Sequence, residues 1–236
     1  MRDPYWNHNV HYHPVVVDAV PDGCRAALDA GCGDGLLARK LASRAGSVTG
    51  VDRSPQMIRL ARTDVPENVT FLEADYLDGT SLDDGKYDFV SAVAVVHHTE
   101  FEDAVGRLVS LLAPGGRLVI VGLAYNRTFL DWVISGCGLP VSRFLARRNG
   151  GKRGPVGMPV EDSAMCWGEA REAVRRLLPG ARFRRRLLWR YVAVWDKPVA
   201  CGGRGVTNDK KTAPDIRDRL LRSCARRPSF RRRSSA

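Results

Sequence analysis

Between residues 25 and 123, short apolar runs alternate with stretches whose apolar positions recur every three or four residues. The runs at 25–30, 47–51, 69–73, 87–96 and 117–123 have the length of strands. Their near-continuity, clearest over 87–96, suits strands covered on both faces. The stretches between them read as helices. Residues 36–45 carry apolar side chains at 36, 37 and 41, and residues 101–112 carry them at 101, 104, 105, 108, 111 and 112. Ser54 and Pro55 supply an N-cap and a first-turn proline for a third helix, ending near Arg62. Residues 10–20 predict a short helix before a turn at Pro21-Asp22-Gly23, residues 75–85 an irregular acidic stretch, and Pro114-Gly115-Gly116 a helix stop.

Strands alternating with helices imply a parallel sheet with right-handed crossovers. Beyond residue 125 the rhythm loosens. A helix is predicted at 127–134, a mobile Gly/Arg-rich loop at 147–155, and a helix at 161–178 stopped by Pro179-Gly180. Two tightly joined strands, 181–189 and 190–195, close the sheet. From about Lys197 the Gly/Arg/Ser composition predicts a disordered tail, with a transient helix around 215–225. The chain divides into an N-terminal helical segment (1–24), an α/β domain (25–198) with an insertion at 125–160, and a basic tail (199–236).

Of 236 residues, 44% are hydrophobic and 27% charged, enough to bury one sizeable core. No apolar run approaches the ~18–20 residues of a spanning helix, and the N-terminus lacks a secretion-signal profile, so no membrane partner is expected. The six cysteines, at 24, 32, 137, 166, 201 and 224, show neither CxxC spacing nor disulfide-scaffold density, which fits a reducing cytoplasm. The net charge is +11, but residues 201–236 hold eleven Lys/Arg against three Asp/Glu and so supply eight of it. The excess therefore says little about the chemistry of the body.

Chemistry concentrates where strands end. Leu28-Asp29-Ala30-Gly31-Cys32-Gly33-Asp34-Gly35 follows the first strand, with three alternate glycines where a tight turn needs fewer. Such a loop brings backbone N–H groups to a ligand at a helix start. The run is G-x-G-x-G, with Leu36 where the dinucleotide fingerprint has its third glycine. Asp29 is ill placed for a pyrophosphate but suits a ligand with a cationic amino group, which favours an amino-acid-bearing nucleoside over NAD. Asp52 closes the second strand, where a carboxylate can accept from two ribose hydroxyls. At the third strand's end Asp75 can accept from an adenine amine with Tyr76 beside the ring, or can be an ordinary solvated loop residue.

With these motifs in order, LDAGCGDG (28–35), VDRS (51–54), EADYLD (73–78), YDFVSAVAVVHHT (87–99) and LLAPGGRLVIVG (111–122), the chain resembles the class I S-adenosylmethionine-dependent methyltransferases. The resemblance spans residues 26–124, with a looser match to about 198, and the closing RFRRRLLWRYVAVWDKP is similar to the final hairpin of bacterial small-molecule members. It implies a Rossmann-like α/β three-layer sandwich: a mostly parallel seven-stranded sheet whose last strand is antiparallel. It implies S-adenosyl-L-methionine as cofactor, with Asp29, Gly31 and Gly33 along the methionine portion, Asp52 at the ribose, and Asp75 and Tyr76 at the adenine. Cys32, Arg53, Met57 and Val93 complete the implied cofactor-binding set.

His97 and His98 follow the fourth strand, near the reacting methyl group by the same analogy. Either can serve as base toward an acceptor hydroxyl or amine, or one packs while the other caps the next helix. In the aromatic segment 5–13, His8, His11 and His13 lack a fourth ligand at useful spacing, so no metal is expected. The segment suits a water-excluding lid, with Tyr12 and His13 toward the cofactor's carboxylate by analogy, or a surface helix packed through its valines. The expected acceptor is a small molecule, methylated on O, N or C. Nucleic acid is disfavoured, because no [DNS]-P-P-[YFW] motif stands after the fourth strand and no Pro-Cys pair exists for a C5 nucleophile. A protein that binds the cofactor without catalysis is the other reading. Neither the acceptor nor the oligomeric state follows from the residues.

Overall fold

The structure, a computed structural model, describes residues 3–155 and 163–199. The transient helix expected at 215–225 lies outside them, as do the start of the helix expected at 161–178 and nearly all of the basic tail. Seven strands form one sheet: β1 (Ala26–Ala30), β2 (Ser47–Asp52), β3 (Val69–Glu73), β4 (Tyr87–Val93), β5 (Leu112–Leu123), β6 (Arg182–Arg186) and β7 (Arg190–Asp196). The order is β3-β2-β1-β4-β5-β7-β6. The first five strands pair in parallel, while β7 runs antiparallel to both β5 and β6. This is the expected topology, with the antiparallel last strand inserted beside β5.

The apolar runs are continuous because helices cover both faces. Along β5, Leu118 and Ile120 join one core layer while Val119 and Val121 join the other, as the two-residue side-chain period requires. The first layer packs under α4 (Phe101–Leu111) and α6 (Trp167–Leu177), through residues such as Val105, Leu108 and Val174. The second packs under α1 (His13–Val17), α2 (Leu36–Leu41) and α3 (Pro55–Ala61), through Val16, Leu41 and Ile58. A helix α5 (Phe129–Arg148) follows β5. The order of the sheet reverses between β1 and β4, the position where open α/β sheets bind ligands beyond their strand ends.

Several boundaries differ from the sequence reading. β4 stops at Val93, because Ala94 turns to φ +56° and its N–H donates to Val121 O at 2.8 Å. β5 begins at Leu112 and runs through Pro114-Gly115-Gly116, with a register shift opposite Tyr87–Phe89. The predicted 127–134 helix is 20 residues long, started by a reciprocal cap between Thr128 and Asp131 and continuing through Pro140. α6 starts at Trp167 instead of Glu161. β6 is shorter than expected, because Leu188 and Trp189 both adopt left-handed backbone in the turn before β7. It forms an outer edge of the sheet, with Arg182, Arg184 and Arg186 exposed.

Candidate active site

The reversal point opens into a cavity of about 480 Å³. Asp29, Gly31, Cys32, Gly33, Asp52, Arg53, Met57, Asp75, Tyr76, Val93, His97, His98 and His13 all line it. Tyr12 does not. It is buried in the core, and its hydroxyl donates to Leu187 O at the hairpin turn.

The glycine loop is shaped by close approach. Gly31 has φ +68°, and a Cβ there would stand 2.2 Å from Val95 Cγ2. The loop is latched to its neighbours: Cys32 N–H donates to Val51 O at 2.9 Å, and Gly33 N–H donates to Asp52 Oδ2 at 2.9 Å. The other oxygen of Asp52, Oδ1, accepts from Ser54 N–H at 2.8 Å. One carboxylate thus ties the turn after β1 to the start of α3. At the next strand end, Asp75 Oδ1 accepts from Leu77 N–H at 3.0 Å, which fixes its side chain at the cavity wall.

Asp29 is only 2% exposed. Burial pushes its pKa up to about 7, with Asp52 and Asp34 adding to the rise, while the Ser91 hydroxyl, 2.8 Å from Oδ1, opposes it. A buried carboxyl in that state calls for a cationic partner. Burial also raises the Cys32 thiol, reinforced by Asp29 and Asp52, so this cysteine stays a neutral wall of the cavity. His97 and His98 follow the end of β4 with ring centroids 4.1 Å apart. The short 3-10 turn that carries them is closed by His98 N–H donating to Val95 O at 3.1 Å.

The N-terminal segment closes the opposite side. Tyr5, Asn7, His8, Asn9 and Val10 line the cavity, although only the segment as a whole was legible as a lid. The hydroxyl of Tyr5 donates to Asp34. His8 Nε2 lies 3.0 Å from Ser142 Oγ of α5, with its ring against Trp189. The Gly/Arg-rich loop is joined to the same segment: Arg153 N–H donates to Trp6 O at 2.8 Å, and Asn7 Nδ2 donates to Arg153 O at 3.3 Å. Buried Arg190 of β7 donates from Nε and Nη2 to Asn9 Oδ1, and burial lowers its pKa to about 10. No pattern in the sequence announces Arg190 as a site residue, since its partner lies 181 positions away.

Two histidines of this segment are held neutral. Burial lowers His8 to about 4, helped by Lys152 and Arg190, and lowers His13 to about 3, helped by Lys40. Trp6 packs edge-on against both His8 and His11. Among the described residues no group of three or more His, Cys, Asp or Glu side chains is placed to hold a metal. His13 Nδ1 is buried at the cavity with no hydrogen-bond partner among the described residues, which marks a place for a polar ligand atom.

Comparison with known proteins bears on this arrangement. The family pattern described as "Methyltransferase domain" matches residues 28–120. An uncharacterized methyltransferase of Mycobacterium tuberculosis is 36% identical over 208 residues, covering 84% of this chain and all of the relative. The fold matches an N-methyltransferase NodS from Bradyrhizobium japonicum in complex with S-adenosyl-L-homocysteine, with a TM-score of 0.52 and 19% identity over 81% of this chain and 89% of that one. It also matches a Burkholderia thailandensis 1,6-didemethyltoxoflavin-N1-methyltransferase bound to its substrate and S-adenosylhomocysteine, with a TM-score of 0.54 and 18% identity over 80% and 78% of the two chains. The chain belongs to the class I S-adenosylmethionine-dependent methyltransferase family. It is a methyltransferase built on that family's Rossmann-like fold.

Proposed function

We propose that this methyltransferase binds S-adenosyl-L-methionine in the cavity at the β1/β4 reversal and passes its methyl group to an O, N or C atom of a small molecule in the cytoplasm. One observation carries the reading: Asp29, Asp52 and Asp75, at three successive strand ends, line one cavity around a glycine turn. Asp29 is the partner for the cationic amino group, and Asp52 offers its remaining acceptor capacity to the ribose hydroxyls. Asp75 and Tyr76 flank the adenine. Gly31, Cys32 and Gly33 lend backbone along the methionine portion, and Arg53, Met57 and Val93 form the remaining walls. The buried Nδ1 of His13, which has no hydrogen-bond partner among the described residues, fits a polar atom at the methionine end.

When bound, the cofactor supplies a methyl on cationic sulfur, already activated for direct attack. The protein's part is to hold the acceptor in line and keep water out. Orientation of this kind is worth up to about 7–11 kcal/mol of barrier, and the lid over the cavity excludes water. His97 and His98, beside the cavity, are the groups placed to take a proton from an acceptor hydroxyl or amine. Calorimetry with S-adenosylhomocysteine tests the binding half: micromolar affinity is expected, at least tenfold weaker in Asp52→Asn. Turnover of methyl-labelled cofactor against a panel of small acceptors tests the transfer half. No binding heat, or binding indifferent to Asp52→Asn, overturns the assignment.

A further inference from the structure

Helix α5 shows most of its large apolar side chains to the outside. The side it turns to the protein carries Asp131, Ser135, Gly138 and Ser142 before Leu145 and Ala146 reach the core, with Arg185 donating to Asp131 and to Ser135 Oγ. Its outer side carries large apolar residues: Phe129 is 85% exposed, Leu130 65% and Trp132 64%. Val133, Ile134, Leu139 and Phe144 are exposed too. A contiguous outward apolar face on one helix is a docking surface by the ordinary logic of burial.

We propose that this face seats the molecule on an anionic lipid surface. Charge selects that occupant. Residues 132–155 contain no Asp or Glu, whereas Arg143, Arg147, Arg148, Lys152 and Arg153 all lie exposed on the last two turns of α5 and just beyond. The exposed apolar residues of its first turns can enter the acyl boundary while the basic residues at its end meet anionic headgroups. A second copy fits less well. An antiparallel pair of α5 helices would lay each basic half on the partner's apolar half, and a parallel pair would stack basic on basic. No helix among the described residues is long and apolar enough to cross a membrane, and a surface-lying helix needs no such length. Lys152 and Arg153 also line the cavity, so a surface held by α5 borders the mouth of the site. The proposal does not depend on the reaction assigned above.

The test is co-sedimentation of the full chain with vesicles of phosphatidylcholine alone or with phosphatidylglycerol, followed by Trp132 fluorescence. Binding is expected to the phosphatidylglycerol vesicles, at least tenfold weaker for the triple variant Phe129→Ser/Leu130→Ser/Trp132→Ser, whose side chains are exposed. Trp132 emission should shift to the blue and be quenched by brominated acyl chains, and Trp132→Phe should abolish that signal. Residues 201–236 contain no tryptophan, so attachment through the basic tail alone would give sedimentation without the fluorescence change and would overturn the proposal. Equal vesicle binding by parent and triple variant overturns it too, as does a concentration-dependent dimer that the triple variant abolishes in a chain that ignores vesicles.

Discussion

The hydroxyl of Ser91 lies 2.8 Å from Asp29 Oδ1, joining β4 to the end of β1 just behind the cavity. This neutral donor opposes the burial that raises the Asp29 pKa to about 7. Deprotonation of Asp29 should therefore limit binding of a cationic ligand. Affinity for S-adenosylhomocysteine is expected to fall about tenfold per pH unit below about 7 and to level off above it. In Asp29→Asn it should be weak and flat across the same range. Calorimetry from pH 5.5 to 8.5 checks this, and a flat profile in the parent rejects it. In the ligand-free fold the sign is opposite. The native state holds this proton more tightly than the unfolded chain, so the stability it contributes is full below about 4 and lost as pH rises through about 7.

The lid histidines act against that trend. His13 is neutral in the fold down to about 3, whereas the unfolded residue takes a proton near 6.5. Its share of stability is complete above 6.5 and drains away as pH falls toward about 3. His13→Leu should move the acid-unfolding midpoint to lower pH in a circular-dichroism titration. An unmoved midpoint would show that His13 takes up its proton without unfolding the segment.

Gly31→Ala combines a backbone penalty at φ +68° with a collision against Val95. We expect a loss of at least about 2 kcal/mol in urea unfolding. Adding Val95→Ala should return the part due to collision and leave the part due to backbone. A double variant no better than Gly31→Ala would assign the whole cost to φ.

Tyr5→Phe removes the link from the lid to Asp34 while keeping the ring in place. The dissociation rate of S-adenosylhomocysteine should rise about three- to tenfold, with global stability changed by under ~1 kcal/mol, since a terminal segment opens locally. Stopped-flow displacement reads the rate, and an unchanged rate removes the segment from cofactor retention.

Replacing whichever of His97 and His98 serves as base by Ala should lower kcat at least ~10²-fold with cofactor affinity unchanged. Parental kcat in both single variants would leave alignment as the whole of catalysis.

Most of the sheet was legible because its strands are buried on both faces and bounded by turn residues. The ends of β1, β2 and β3 announced themselves by Gly31, Asp52 and Asp75. Helix α5 was not legible beyond its first two turns. Gly136, Gly138 and Pro140 are poor helix residues, and the first inward positions, Asp131 and Ser135, are polar, so no apolar periodicity marks a buried face there. The lid residues Tyr5 and Asn9 were equally hidden, because Asp34 and Arg190 meet them only after the chain has folded.

The arginines of β6 have a consequence for how the molecule behaves among its own kind. A free sheet margin is an open template on which another chain can add a strand. Here a second copy zipping along that margin would bring guanidinium against guanidinium at neighbouring-strand spacing, where like charges repel. The row Arg182, Arg184 and Arg186 thereby disfavours two copies pairing β6 against β6.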